Sequence, residues 1–78
     1  MDKQEIITRL TPVARKVFEN ENLVLCDDQS AENLDNWTSL SFMHFLTEIE
    51  KEFGIKFRMM ELFSLKNMGD IINAISRH

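Results

Sequence analysis

The chain has 78 residues, of which 44% are hydrophobic and 28% charged, and its formal net charge is −4. A chain of this length buries roughly 60% of its unfolded surface and holds one core, so we expect residues 1–78 to form a single domain. Two glycines and one proline provide too few turns for a series of short β-strands, and helices are favoured. The negative charge and the lack of a basic stripe argue against nucleic acid as a partner.

One cysteine, Cys26, cannot form an intramolecular disulfide bond, which fits a reducing compartment. The first residues lack the basic and then apolar order of a signal peptide. No apolar stretch approaches the ~20 residues that a membrane-spanning helix needs. We therefore expect a cytoplasmic protein with no membrane partner, and we expect it to be a monomer.

Apolar residues at steps of three and four predict a first helix near the N-terminus. Asp2 and Glu5 suit its first turn, where the helix dipole favours anions. Pro12 lies inside the pattern, and an interior proline removes a hydrogen bond and crowds the preceding turn. We therefore expect a kink or a break near Thr8 to Thr11.

From Glu19 to Trp37 the helical period fails, and polar, turn-prone residues dominate. We predict a long loop here, with room for one short helical turn from Ala31 to Leu34. Loops of this length are uncommon in compact domains unless they serve a function, so the loop is itself a functional indication.

A second helix is predicted from Thr38 or Ser39 to Phe53, and Gly54 is placed to cap its C-terminus. Glu48, Lys51 and Glu52 mark its solvated face. The expected apolar positions along it are Leu40, Phe42, Met43, Phe45, Leu46 and Ile49.

The remaining chain predicts two further helices. An extended segment at residues 55–57 leads to a short helical turn at residues 59–63. A last helix follows Asn67, which resembles a capping box together with Asp70. Three longer helices and one short helix predict an all-α fold, a small four-helix bundle with a long loop between the first and second helices.

Residue patterns typical of enzymes and metal sites are absent. His44 and His78 have no Cys or His at metal-ligand spacing, and the chain has no glycine-rich phosphate loop. We interpret His44 as a solvent-facing helix residue and Cys26 as a loop residue without a base. We expect core positions for four large side chains, Phe42, Phe45, Met59 and Met60. No catalytic or metal-binding residue is predicted.

The segment from Leu34 to Leu40, followed by residues 49–57, resembles the acyl and peptidyl carrier proteins. In that family a serine, usually preceded by Asp and followed by Leu, begins the second helix, which ends in an acidic run and Phe. The residues that match this pattern are Ser39, Leu40, Glu50, Glu52, Phe53 and Phe57. The resemblance covers roughly residues 23–75, and the first helix agrees with the family in length and pattern only.

The resemblance implies that Ser39 carries a 4′-phosphopantetheine arm, transferred from coenzyme A by a phosphopantetheinyl transferase that holds Mg²⁺ at its own site. The thiol of the arm would hold acyl or aminoacyl intermediates as thioesters. The chain would then be a non-catalytic carrier that serves a loading ligase and downstream synthase enzymes. Fatty acid, polyketide and nonribosomal peptide biosynthesis all fit. A phosphodiester suits the first turn of a helix, because free amides and the dipole favour an anion there.

Two features depart from the family pattern. Thr38 stands where Asp is usual, which keeps a helix cap but removes a negative charge beside Ser39. The outward face of the second helix is less acidic than in many carriers, so we expect apolar contact to contribute more to docking. The residues expected to contact partner enzymes are Trp37, Thr38, Leu40, His44, Glu48 and Lys51. For Trp37, an equally good interpretation is a loop aromatic folded over the core.

Three hypotheses follow from these patterns. In the first the chain is a modified carrier, with Ser41 as the second candidate for attachment. In the second it is a carrier-like helical domain that acts unmodified as a protein-binding module, and Thr38 favours this alternative. In the third it is an unrelated helical adaptor, and the hydroxyl of Ser39 only satisfies a free amide at the helix start.

Overall fold

The computed structural model describes residues 1–78 and confirms the all-helical fold, with four helices and no strand. The helices are α1 (Lys3–Val17), α2 (Ser39–Phe53), α3 (Met59–Leu62) and α4 (Met68–Ser76). Helix α1 packs against both α2 and α4, so it is the central element of the bundle. The predicted long loop connects α1 to α2. None of the helices has the length and apolar character needed to cross a membrane.

Helix α1 is continuous. Asp2 caps it by accepting a hydrogen bond from the amide of Glu5 at 2.8 Å. The helix then runs through Pro12 without interruption, so the predicted alternative of a break near Thr8 to Thr11 was wrong. The proline ring is exposed, and apolar burial on the opposite face holds the helix together on both sides of it. The buried residues of α1 are Ile6, Leu10, Ala14 and Val17.

Helix α2 has the predicted boundaries. Its N-cap is Thr38, and Gly54 ends it in the left-handed region with φ 65°, where a residue without Cβ is unstrained. Leu46 and Ile49 are buried, as their spacing predicts. Leu40 and Met43, which have the same period, are 82% and 53% exposed.

Aromatic rings fill the core below the start of α2. The Phe18 ring lies 5.3 Å from that of Trp37 and 5.0 Å from that of Phe45, measured between centroids. Trp37 also stacks on Phe42 at 6.0 Å. Such offset and edge-to-face pairs stabilise a core beyond the area they bury. The predicted core positions of Phe42 and Phe45 are therefore confirmed, although Phe42 is only partly buried.

Backbone hydrogen bonds fasten the long loop to the bundle. The amides at the start of α4 donate into it, from Met68 to the Gln29 carbonyl at 2.8 Å and from Gly69 to the Asp27 carbonyl at 2.9 Å. A Cβ on Gly69 would lie 3.1 Å from the Asp27 carbonyl oxygen, which explains the glycine at this close approach.

A second set of contacts fixes the end of the loop that leads into α2. The side-chain amide of Asn36 donates to the Phe18 carbonyl at 2.9 Å. The amide of Leu34 donates to the Ser30 carbonyl at 3.0 Å and completes a single helical turn in the predicted place. The loop is thus tied to the end of α1 just before it enters α2.

Helix α3 buries none of its residues. Met59 and Met60 are 75% and 80% exposed, so the prediction that they fill the core was wrong. One helical turn has a single inward position, and Leu62 occupies it by packing on the core. At α4, Asn67 caps the amide of Asp70 at 2.8 Å as predicted. In a full capping box the carboxylate of Asp70 would accept a hydrogen bond from the Asn67 amide. Here it accepts one from the Lys66 amide instead, at 3.0 Å.

Candidate functional site

Three hydroxyl side chains lie at the start of α2, and two of them cap the helix. The Oγ1 of Thr38 accepts a hydrogen bond from the Ser41 amide at 3.1 Å, and the Oγ of Ser41 accepts from the Thr38 amide at 2.8 Å. Ser41 Oγ also donates to the Asn36 carbonyl at 2.6 Å. Thr38 and Ser41 thus form a reciprocal capping box, and both hydroxyls are committed to local structure.

The third hydroxyl, that of Ser39, makes no hydrogen bond within the protein. Ser39 is the first residue of α2, and its side chain is exposed. Because Thr38 is the capping residue, Ser39 does not have the capping role that serine often takes at a helix start. Its oxygen is available to a reagent from outside.

An open groove of about 370 Å³ lies beside this serine. The residues that line it are Ala31, Trp37, Thr38, Ser39 and Phe42. Trp37 is 9% exposed and its ring stacks between two phenylalanines, so it takes the core position that was one of its two interpretations. The groove joins the long loop to the first turn of α2.

The outward side of α2 beyond Ser39 combines apolar and charged groups. Leu40 and Met43 present large exposed side chains one residue and one turn after the serine. Farther along, the Glu48 carboxylate lies among the side chains of two lysines and one histidine. The distances from a Glu48 carboxylate oxygen are 3.8 Å to Lys16 Nζ, 3.8 Å to His44 Nε2 and 3.4 Å to Lys51 Nζ. The four α2 residues predicted to face outward, Leu40, His44, Glu48 and Lys51, thus share the outer side of the helix. The sequence did not reveal the contribution of Lys16, which comes from α1.

A second polar cavity, of about 340 Å³, lies at the other end of the chain, between α3 and the C-terminus. Glu61 accepts a hydrogen bond from the Arg58 amide at 2.9 Å, and its oxygens lie 3.0 Å from the Nε2 of His78. The amide of Arg58 lowers the pKa of Glu61, and the His78 ring lowers it further, while desolvation opposes both. No group of three or more His, Cys, Asp or Glu side chains is placed to hold a metal ion.

Comparison with known proteins identifies the family. A family model described as the phosphopantetheine attachment site matches residues 28–75, well over half of the chain. The chain belongs to the phosphopantetheine-binding carrier proteins. Among solved structures, this carrier is similar to the holo acyl carrier protein from Geobacter metallireducens, determined by solution NMR. The TM-score is 0.85 and the identity 38%, over 92% of this chain and 83% of that one. A comparison with curated proteins gives no match.

The carrier is therefore a non-catalytic protein with a covalently attached phosphopantetheine, and it works with partner enzymes. The residues at the start of α2 fit such a group. An exposed hydroxyl without a hydrogen bond opens onto a groove, and the anionic end of a phosphodiester would lie near the positive end of the α2 dipole.

Proposed function

We propose that Ser39 is the attachment residue and that this carrier holds biosynthetic intermediates as thioesters on its phosphopantetheine arm. The observation that carries the proposal is that the hydroxyl of Ser39 makes no hydrogen bond within the protein. The hydroxyls of Thr38 and Ser41, before and after it in the chain, both cap the helix. Ser39 also lies within the residues that the family model matches.

The backbone around Ser39 supports attachment there. The capping box satisfies the amides of Thr38 and Ser41, whereas the first amides of a helix have no intrahelical acceptor. The amides of Ser39 and Leu40 are therefore available to stabilise a phosphodiester beside them, as helix N-termini do for phosphate groups.

The attached arm supplies a terminal thiol, and the carrier supplies its position and its recognition. A tethered cargo reaches successive enzymes at high effective concentration, which explains why a small domain is sufficient. The proposed partners are a phosphopantetheinyl transferase, an acyl- or aminoacyl-loading ligase and downstream synthases. We propose a cytoplasmic monomer as the working form.

The docking surface in this proposal is the outer side of α2 next to Ser39. The residues proposed to contact partner enzymes are Thr38, Leu40, His44, Glu48 and Lys51. Trp37 is 9% exposed and lines the groove beside Ser39, and we propose that it supports this surface from the core.

Intact-mass measurement tests the attachment residue. The purified protein, incubated with coenzyme A, Mg²⁺ and a broad-specificity transferase, should gain the mass of one phosphopantetheine group. Ser39→Ala should gain nothing. The matched control Ser41→Ala should still be modified, although loss of its capping contacts lowers the free energy of unfolding by about 1 kcal/mol.

Two outcomes would contradict the proposal. If Ser39→Ala still gains the mass of phosphopantetheine, the attachment residue lies elsewhere. If the mass gain is lost only in Ser41→Ala, Ser41 is the attachment residue. If several transferases fail to modify the wild type, the second hypothesis is favoured, a carrier-like domain that binds partners unmodified. The Thr at position 38 is the feature that supports that alternative.

A further inference from the structure

Every carboxylate on α2 is already engaged within the protein. Glu48 pairs with Lys16 and Lys51 and also lies beside His44. Glu50 accepts a hydrogen bond from the Phe57 amide at 2.8 Å. Glu52 pairs with Arg9 of α1 at 3.1 Å. Glu50 is the only one of the three without a cationic partner, so the helix that follows Ser39 presents little unpaired negative charge to an approaching enzyme.

More than half of the side-chain carboxylates without an ion pair lie in the long loop instead. Residues 19–37 contain six acidic residues and neither Lys nor Arg. Only one of the six, Asp27, forms an ion pair, with Lys3 at 3.2 Å. Most of the acidic charge of this segment is therefore available to a cationic partner.

Two of these free carboxylates belong to the stretch of loop that leads to Ser39. Glu32 follows Ala31, which lines the same groove as Ser39. Asp35 lies three residues before the N-cap Thr38, and both acidic side chains belong to exposed residues. Along the chain, Ser39 thus follows an acidic stretch of exposed loop and precedes the exposed apolar side chains of Leu40 and Met43.

On the basis of the proposed function, we propose that enzymes acting on this carrier dock across Ser39, with apolar surface on Leu40 and Met43 and cationic side chains facing Glu32 and Asp35. Charge complementarity selects this occupant, because unpaired charges steer association and paired ones contribute little field. The exposed apolar side chains supply contact area at short range. The electrostatic contact is thereby placed on the loop and not on α2.

A transferase with coenzyme A is the probe, and the readout is kcat/KM for modification at ionic strengths from about 20 mM to about 300 mM, across which screening becomes strong. The double variant Glu32→Gln/Asp35→Asn should lose about five-fold in kcat/KM at low salt and show a flatter salt dependence, because removal of rim charges lowers the association rate. Glu52→Gln is the matched control, because it makes the same chemical change on α2 at a carboxylate that pairs with Arg9 and is not among the proposed docking residues. Its kcat/KM should stay within about two-fold of wild type. Leu40→Ser should raise KM at every salt concentration.

The outcomes separate this proposal from the one it rests on. If all variants are still fully modified, but kcat/KM falls more in Glu52→Gln than in the loop variant or does not fall in the loop variant, the docking proposal is overturned and Ser39 remains the proposed attachment residue. No mass gain in the wild type overturns the proposed function, and the docking proposal falls with it. Circular dichroism of the variants confirms that they fold.

Discussion

Thr38 combines two roles that the family pattern usually gives to an aspartate: it caps α2 and it precedes Ser39, the proposed attachment residue. The structure shows that the cap is complete with a hydroxyl, since Thr38 and Ser41 bond reciprocally. What the threonine lacks is charge. Its effect should therefore appear in recognition by the transferase and hardly at all in folding.

The variant Thr38→Asp separates these roles. Its carboxylate can accept from the Ser41 amide as Thr38 Oγ1 does, and an anion at a helix N-terminus adds about 0.3–1 kcal/mol to the free energy of unfolding. We expect urea unfolding, followed by Trp37 fluorescence, to show equal or slightly higher stability, and we expect a higher kcat/KM for modification. Thr38→Ala, the control, should lose about 1 kcal/mol. If Thr38→Asp is modified no faster than wild type, the missing charge has no part in recognition.

The choice between Ser39 and Ser41 shows what sequence reasoning can decide at this scale. The helix boundary and the pattern around it pointed to Ser39. They did not show which hydroxyl caps the helix, because that depends on the backbone geometry of residues 36–41. The structure engages the Ser41 hydroxyl in hydrogen bonds with Thr38 and Asn36 and leaves the Ser39 hydroxyl without a hydrogen bond.

Among the helices, the boundaries were predictable and the exposure of short apolar segments was not. Thr38 and Gly54 delimit α2 through capping chemistry, which is local and therefore readable from sequence. The exposure of Met59 and Phe63, both at 75%, depends on where a single turn of helix is placed against the bundle. One turn has too few residues for a period to indicate its inward face.

Helix α1 provides a test of how tertiary packing overrides propensity. Pro12 cannot donate to the Thr8 carbonyl, and a helix-interior proline costs up to about 3 kcal/mol relative to alanine. Pro12→Ala should therefore raise the free energy of unfolding, by an amount reduced by up to about 1 kcal/mol because the unfolded chain gains freedom. Urea unfolding followed by circular dichroism measures this difference.

Pro12→Gly is the matched control for that measurement. It restores the donor but has a helix propensity about 1 kcal/mol poorer than alanine, so it should fall between wild type and Pro12→Ala. A decrease in stability for Pro12→Ala would show instead that the proline is accommodated without cost, and that α1 depends on its fixed φ.

On the scale of the whole molecule, charge is segregated although its total is modest. The six acidic residues of the loop outweigh the remainder of the chain, in which Lys and Arg exceed Asp and Glu by two, and the net charge is −4. Composition alone gives the sum but not the distribution, because ion pairs between elements, such as Arg9 with Glu52 and Lys16 with Glu48, cancel charges that are distant in sequence.

The acid stability of the whole fold should depend on Glu61, which joins the start of α3 to His78. The Arg58 amide and then His78 lower the pKa of Glu61 from its ordinary value of 4.5, while the unfolded chain keeps the ordinary value. The carboxylate therefore stabilises the fold at pH values above that ordinary pKa, and this contribution is lost as the pH falls through the lower pKa of the folded state.

The variant Glu61→Gln tests this dependence on pH. It should be less stable than wild type in urea at about pH 7, and the difference in the free energy of unfolding should shrink progressively below about pH 4. Glu21→Gln, which changes an exposed loop residue without an ion pair, should show no such trend. A Glu61→Gln difference that stays constant from neutral to acid pH would mean that shape, not charge, gives Glu61 its effect.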